Sequence, residues 1–319
     1  MNTFLTHLSL AAPLFVLVLA GYLIARSGRF PASMAEALNR FVFTIALPAL
    51  LFRMMADLSS LPPVDARLLA AFFGGCLIVF VLGRLAGWAL FRLDGVQQSV
   101  FALGGIFSNN VLLGIPIAKL TLGEAALPAV ALVLVFNALV LWTLVTVSVE
   151  WARHGEFSAR GFGRTAVSVI TNPIVAAIVG GTLFGLTGLS LPVLVDEPLK
   201  LVGQAAAPMA LLVLGMGLAQ YGVRDGWRVA SAISALKLAV QPAVVWLLAR
   251  LLGLPPLETQ VAVLLASLAV GVNVYLMAKE FGALQGPVAA SLVISTLFGA
   301  LTTPLALALG GAATGPLPR

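Results

Sequence analysis

Ser108, Asn109 and Asn110 stand in a row inside an otherwise apolar stretch, GGIFSNNVLLGIPIAKLTLG (104–123), with Gly114 and Pro116 close behind them. Proline cannot donate a backbone hydrogen bond, and its ring crowds the carbonyl four residues back. A helix through this stretch should therefore break or kink between Asn109 and Pro116. Backbone groups freed in hydrocarbon cost several kcal/mol each unless something satisfies them. Side-chain amides can do so, and so can a bound solute. The alternative is a proline kink packed by small residues, with the amides as glue between helices. A second stretch, LLASLAVGVNVYLMAKEFG (264–282), interrupts an apolar run with Ser267, Gly271 and Asn273 but contains no proline. A break here depends on Gly271 and on the Asn273 side chain competing for backbone partners.

Lys237 is the third element of this chemistry. It lies in SAISALKLAVQPAVVWLLAR (231–250), nine residues past Arg228 and thirteen before Arg250. At 1.5 Å per residue it sits roughly 13 Å inside a helix, too deep for its stem to reach the surface easily. A lysine at such depth costs about 2.5–3.5 kcal/mol even on the lenient insertion scale, so it should face the protein interior with a partner. Gln241, four residues on, shares its helical face. The pair can attract an anion, or it can bond freed helix carbonyls and serve architecture.

The elements that must position these residues follow from composition. Of 319 residues, 61% are hydrophobic and 9% charged, and the mean hydropathy is +1.08. A globular domain carries roughly a quarter charged residues. Such a chain cannot hide its apolar surface from water and needs a bilayer. The net charge of +6 comes from single basic residues at the ends of apolar runs. No basic patch with interleaved aromatics tracks phosphates, so nucleic acid is not an expected partner. The single cysteine, Cys76, forms no disulfide within the chain and reads as a packing residue. The first residues lack a basic segment ahead of the apolar run and read as the first helix rather than as a signal peptide.

Apolar runs predict ten spans, near 7–26, 36–56, 67–91, 97–119 and 125–149, then near 165–187, 198–220, 228–250, 259–280 and 286–309. A polar connection over 150–164 divides them. The expected organisation is a first five-helix repeat over 1–150, a cytoplasmic linker over 151–164 and a second repeat over 165–319. Four Pro and Gly pairs support duplication: Pro13 with Pro173, Gly21 with Gly181, Gly28 with Gly188 and Pro48 with Pro208, each 160 residues apart. Ala118-Lys119 and Ala278-Lys279 keep the same offset. An odd number of spans per repeat inserts the second half upside down, so the halves are related by a pseudo-twofold axis in the membrane plane. The expected fold class is thus an all-α membrane protein of ten transmembrane helices, two inverted five-helix repeats with broken crossover helices 4 and 9. Polar interruptions in corresponding helices of such halves point to a binding site near the midplane.

With both termini outside, in the periplasm, the cytoplasmic loops carry nine Lys and Arg residues against six on the other side. No Asp or Glu falls at the centre of a span; Glu36 and Glu280 are the deepest, near span ends. Buried carboxylates are the usual proton and cation carriers, so a sodium/proton exchanger is disfavoured. His7 and His154 lie at a span edge and in a loop. Neither a metal site, nor a cofactor, nor a catalytic triad follows from them, and an enzyme is not expected.

LNRFVFTIALPALLF (38–52), SNNVLLGIPIAK (108–119), GVNVYLMAKEFG (271–282) and SLVISTLFGALTTPL (291–305) resemble the auxin efflux carrier family, over nearly the whole chain. The resemblance implies a scaffold domain and a transport domain whose fourth and ninth helices cross beside a carboxylate site, with elevator-like alternating access. It implies that Asn109 meets the substrate carboxylate, with Gly114 and Pro116 following, and that Asn273 is the polar residue at the second crossover. Ser108 and Ala269 stand where the plant exporters place crossover prolines, and the long central hydrophilic loop is missing. These departures favour the bacterial branch, with malonate- and malate-type substrates over auxin. The expectation is a bacterial inner-membrane secondary transporter for a small mono- or dicarboxylate. Its substrate-binding residues would be drawn from Ser108, Asn109, Asn110, Gly114, Pro116, Lys237, Gln241, Ser267, Gly271 and Asn273. The lipid bilayer and the carboxylate are its expected partners, and a homodimer is left open. The alternative is an anion channel or a substrate-sensing receptor using the same pocket.

Overall fold

The computed structural model describes residues 3–57, 65–154, 173–221 and 226–312. Among these the regular structure is entirely helical, with one isolated antiparallel bridge. In chain order the helices are α1 (Thr3–Arg26), α2 (Ala32–Phe41), α3 (Leu47–Ala56), α4 (Arg67–Phe91), α5 (Gly95–Ile106), α6 (Ile115–Thr121) and α7 (Leu127–His154). There follow α8 (Pro173–Gly185), α9 (Val193–Leu218), α10 (Trp227–Ala235), α11 (Gln241–Leu251), α12 (Pro256–Ser267), α13 (Val272–Phe281) and α14 (Gln285–Ala312). Seven helical stretches among the described residues are long and apolar enough to cross a membrane. The expected spans near 97–119 and 259–280 are each two shorter helices. The expected span near 165–187 is described only from Pro173. The linker predicted over 151–164 begins as the last turn of α7, and its remainder lies outside the described residues.

Three π-turns share one cause. Val42–Ala46 precedes Pro48, Asn110–Gly114 precedes Pro116, and Leu236–Val240 precedes Pro242; each proline is the second residue of the α-helix that follows. Proline removes one N–H and crowds a carbonyl a turn back. Widening that turn to an i→i+5 pattern relieves the crowding without ending the helix.

Outward faces are apolar, as lipid requires. Leu297, Leu301 and Leu305 form an exposed stripe at four-residue spacing along α14, and Leu77, Val81, Leu85 and Trp88 another along α4. A water-soluble protein does not expose such continuous apolar surface. The chain is a multi-pass membrane protein.

The chain folds into two compact units, and each draws on both sequence halves. One comprises 1–12, 64–165 and 221–319, the other 13–63 and 166–220. In the smaller unit α3 packs against α8 and α9, and Arg53 forms a two-pronged ion pair with Asp196 at 2.6 and 3.1 Å. Glycines allow close helix contacts within it. A Cβ on Gly181 would lie 2.5 Å from the carbonyl oxygen of Phe52, and a Cβ on Gly21 would overlap the carbonyl of Leu212. Gly21 and Gly181 are 160 residues apart, as are Phe52 and Leu212, so one contact is the other with the halves exchanged.

Gly180 sits beside Gly181 on α8, yet a Cβ there would come no closer than 3.7 Å to the Phe52 ring. Gly181→Ala is therefore expected to destabilise by ~1–3 kcal/mol through overpacking. Gly180→Ala should gain up to ~1 kcal/mol of helix propensity. Thermal unfolding in detergent separates the two; equal shifts would contradict the close α3–α8 contact.

Candidate functional site

The larger unit contains a crossing of two interrupted helices. α5 starts with a capping box, Asp94 accepting from the Gln97 amide at 2.9 Å and Gln97 Oε1 from the Asp94 amide at 3.2 Å. It ends at Ile106, where Phe107 turns to an extended conformation, and Asn109 is also non-helical. The chain becomes helical again at Asn110 and continues through the π-turn into α6. The break therefore spans Phe107–Asn109 instead of falling between Asn109 and Pro116. Pro116 lies within the resumed helix, because the widened turn absorbs it. In the second interruption α12 ends at Ser267, Leu268 and Gly271 are extended, and α13 starts at Val272.

The two extended segments pair as a short antiparallel crossing. The Asn109 amide donates to the Ala269 carbonyl at 2.9 Å, the Gly271 amide donates to the Phe107 carbonyl at 2.8 Å, and Ser108 bridges Val270. Asn109 and Ala269 are 160 residues apart, the offset that separates the Pro and Gly pairs of the sequence. Gly271 is required by proximity: a Cβ there would lie 3.0 Å from the Ser108 carbonyl oxygen and 3.1 Å from the Phe107 ring. The Asn273 side chain does not compete for backbone partners as expected. Asn273 is the second residue of α13, partly exposed, and its side chain makes no hydrogen bond among the described residues.

The freed carbonyls are closed by side chains from neighbouring helices. Gln241 Nε2 donates to the Ile106 carbonyl, the last of α5, at 2.9 Å and also contacts Cys76 Sγ at 3.4 Å. Lys237 Nζ, fully buried, donates to the Ala266 carbonyl near the end of α12 at 2.5 Å. From α14, Thr303 donates to the Ser267 carbonyl at 3.0 Å, and Ser295 Oγ accepts the Val270 amide at 3.0 Å. Ser267 turns its own hydroxyl back to Leu264. Ser295 and Thr303 were not among the residues singled out from the sequence. Their signal was available: Ser291, Ser295 and Thr303 fall on one buried face of α14 at helical spacing.

The polar atoms of the first interruption are treated differently. Ser108 Oγ, Asn109 Nδ2 and Asn110 Oδ1 are buried and without a hydrogen-bond partner, as is Gln241 Oε1. Asn110 Nδ2 donates to Asn137 Oδ1 of α7 at 3.4 Å. Gly114 packs against Leu265 and Leu268 and brings the resumed helix against the second interruption. The resumed helices after both breaks begin at the crossing, so their first N–H groups and positive dipole ends lie there. The negative ends of α5 and α12 lie there too, but an amide and an ammonium cover them. With those ends covered, Asn109 Nδ2 is a side-chain donor left without an acceptor at the crossing. No group of three or more His, Cys, Asp or Glu that could hold a metal occurs among the described residues.

Comparison with known proteins supplies a family. The model described as "Membrane transport protein" matches residues 7–161 and 162–307. A protein of Rhizobium meliloti (strain 1021) named "Putative malonate transporter" is 29% identical over 305 residues, covering 92% of each chain. Auxin efflux carrier component 8 of Arabidopsis thaliana is 23% identical over 93% of this chain and 95% of its own. The uncharacterized transporter YfdV of Escherichia coli K12 is 24% identical over 92% and 94% respectively.

Gln241→Leu leaves the Ile106 carbonyl buried without a partner, which costs about 1–3 kcal/mol. The expected outcome is a lower unfolding midpoint in detergent, and a larger drop for Gln241→Glu, which sets a carboxylate against that carbonyl. An unchanged midpoint in both variants would show that the α5 end does not depend on this contact.

Proposed function

The chain belongs to the membrane transport protein family, and on that premise we propose that it is a secondary transporter for a small organic anion, a mono- or dicarboxylate. The observation that carries this reading is the buried, unpartnered amide of Asn109 at a point where two helices begin. A buried donor without an acceptor is costly. A carboxylate oxygen would satisfy it, and the nearby backbone N–H groups and helix dipoles would favour the same charge. Asn110 and Ser108 complete the polar contacts, with Asn273 approaching from α13. Gly114, Pro116, Ser267 and Gly271 shape the crossing. Lys237 and Gln241 act from behind it by covering the negative helix ends.

The architecture in this proposal is ten spans in two inverted five-helix repeats, with helices 4 and 9 as the crossing pair. Support comes from the constant offset of 160 and from the exchanged glycine contacts in the smaller unit. Alternating access follows the elevator scheme, the larger unit bearing the site. The membrane is a bacterial inner membrane with both termini periplasmic, an orientation supported by the excess of basic residues on the cytoplasmic side. The Rhizobium relative named for malonate makes malonate the first substrate to test.

Uptake of labelled malonate and related dicarboxylates into proteoliposomes should saturate. Asn109→Ala should weaken binding by about 10- to 100-fold, the worth of a hydrogen bond to a charged group, with the detergent unfolding midpoint retained. Unchanged uptake by that variant would remove Asn109 from the site, and flux without saturation would favour a channel.

A further inference from the structure

Arg84 lies within α4, seven residues before its end at Phe91, or about 10 Å inside the helix. Its guanidinium meets only neutral oxygens. Nη1 donates to Ser99 Oγ of α5 at 3.0 Å and to Ser148 Oγ of α7, and Nη2 donates to Gln98 Oε1 at 3.4 Å. Ser99 and Ser148 also bond each other at 2.8 Å, so their orientation is fixed. Nε–H and one Nη2–H have no acceptor, and no carboxylate pairs with this cation among the described residues. The nearest acidic residues in sequence are spoken for or absent from the contact: Asp94 caps α5, and Glu150 on α7 forms no ion pair with it.

A membrane helix tolerates a half-buried arginine poorly unless a counter-charge is at hand, and none is provided among the described residues. The surroundings say where one would come from. Ser99 is four residues from the start of α5 and Ser148 six from the end of α7, which puts the guanidinium roughly 6–9 Å below those helix ends, near the boundary of headgroups and acyl chains. Leu85, beside Arg84, and Trp88, one turn on, are exposed. Trp151, one turn past Ser148, is 65% exposed, and Trp88 is 64% exposed. Tryptophans placed this way sit at the headgroup level of a bilayer. The same end of the unit carries Arg92 and Arg153, so the anionic surface of the cytoplasmic leaflet is the expected neighbour.

We propose that the open edge of the Arg84 guanidinium, held by Ser99 and Ser148 between α4, α5 and α7, binds the phosphate of an anionic phospholipid whose chains lie over Leu85, Trp88 and Trp151. Arginine suits this because two of its donors can meet two phosphate oxygens at once. The site is separate from the crossing and uses none of its residues.

Quenching of tryptophan fluorescence by dibrominated lipids tests this on the full chain in detergent. Dibromo-phosphatidylglycerol should quench at lower concentration than dibromo-phosphatidylcholine. Arg84→Gln should weaken the phosphatidylglycerol response by about fivefold, the worth of one arginine near a charged lipid surface. The phosphatidylcholine response should stay the same. Should Arg84→Gln not fold, the Trp88→Phe/Trp151→Phe double variant must lose the excess quenching, since these are the two tryptophans on which the proposed lipid chains lie. Equal quenching by the two lipids, an unaltered excess in Arg84→Gln, or an excess that survives in the double variant would each overturn the proposal. Abolition of the excess by soluble glycerol phosphate at equal concentration would overturn it too, because the site would then take free phosphate instead of lipid. None of these readouts depends on transport of a carboxylate.

Discussion

Backbone groups freed from helices inside a bilayer have no water to turn to, and the crossing of the two interrupted helices creates several of them at one place. The rest of the larger unit is arranged around that debt. The two extended segments settle part of it by pairing with each other, Asn109 with Ala269 and Gly271 with Phe107. Four side chains settle most of the remainder: Gln241, Lys237, Thr303 and Ser295. Lys237 falls within the Pro242-induced π-turn and Gln241 directly follows it. Local disturbance of a helix and the residues that cap the crossing occur together.

Which groups are left open decides what the crossing can bind. Every crossing carbonyl named above accepts a hydrogen bond, and the side-chain donor nearest α12 is a cation. On the other side, Asn109 Nδ2 is left without an acceptor. On the proposed reading, a crossing whose negative ends are covered favours an anion over a cation. Had a buried carboxylate stood at the position of Lys237, the same backbone would favour a cation. The charge preference thus belongs to a few side chains and not to the crossing fold itself.

Much of this was legible in the sequence because membrane helices are written in long apolar runs, and the helix limits fall close to those runs. The polar triplet 108–110 was legible for the same reason, as an interruption. The location of the break was not. Pro116 announces a defect by local chemistry, but a π-turn satisfies it within the helix, whereas the actual break at Phe107–Asn109 is fixed by pairing with residues some 160 positions away. The second break carries no proline at all, and Gly271 serves it by admitting the Ser108 carbonyl, a contact no local pattern reveals. The grouping into units that each take parts of both halves is equally a property of three-dimensional packing.

The two halves also differ in a way that matters for the crossing. In one pair of packing contacts the offset of 160 is kept, Gly21 and Gly181 admitting the carbonyls of Leu212 and Phe52. Where electrostatics is concerned it is not. The residues 160 positions before Lys237 and Gln241 are Leu77 and Val81, both apolar and both exposed on α4. A strictly symmetric protein would cap each interrupted helix from its own counterpart helix. Here the π-turn and the start of α11 cap both, Gln241 reaching the end of α5 and Lys237 the end of α12. One short stretch, 237–241, therefore reaches the negative ends of both interrupted helices, sharing the end of α12 with Thr303. Covering both ends from one stretch couples the two halves of the crossing more tightly than symmetric capping would.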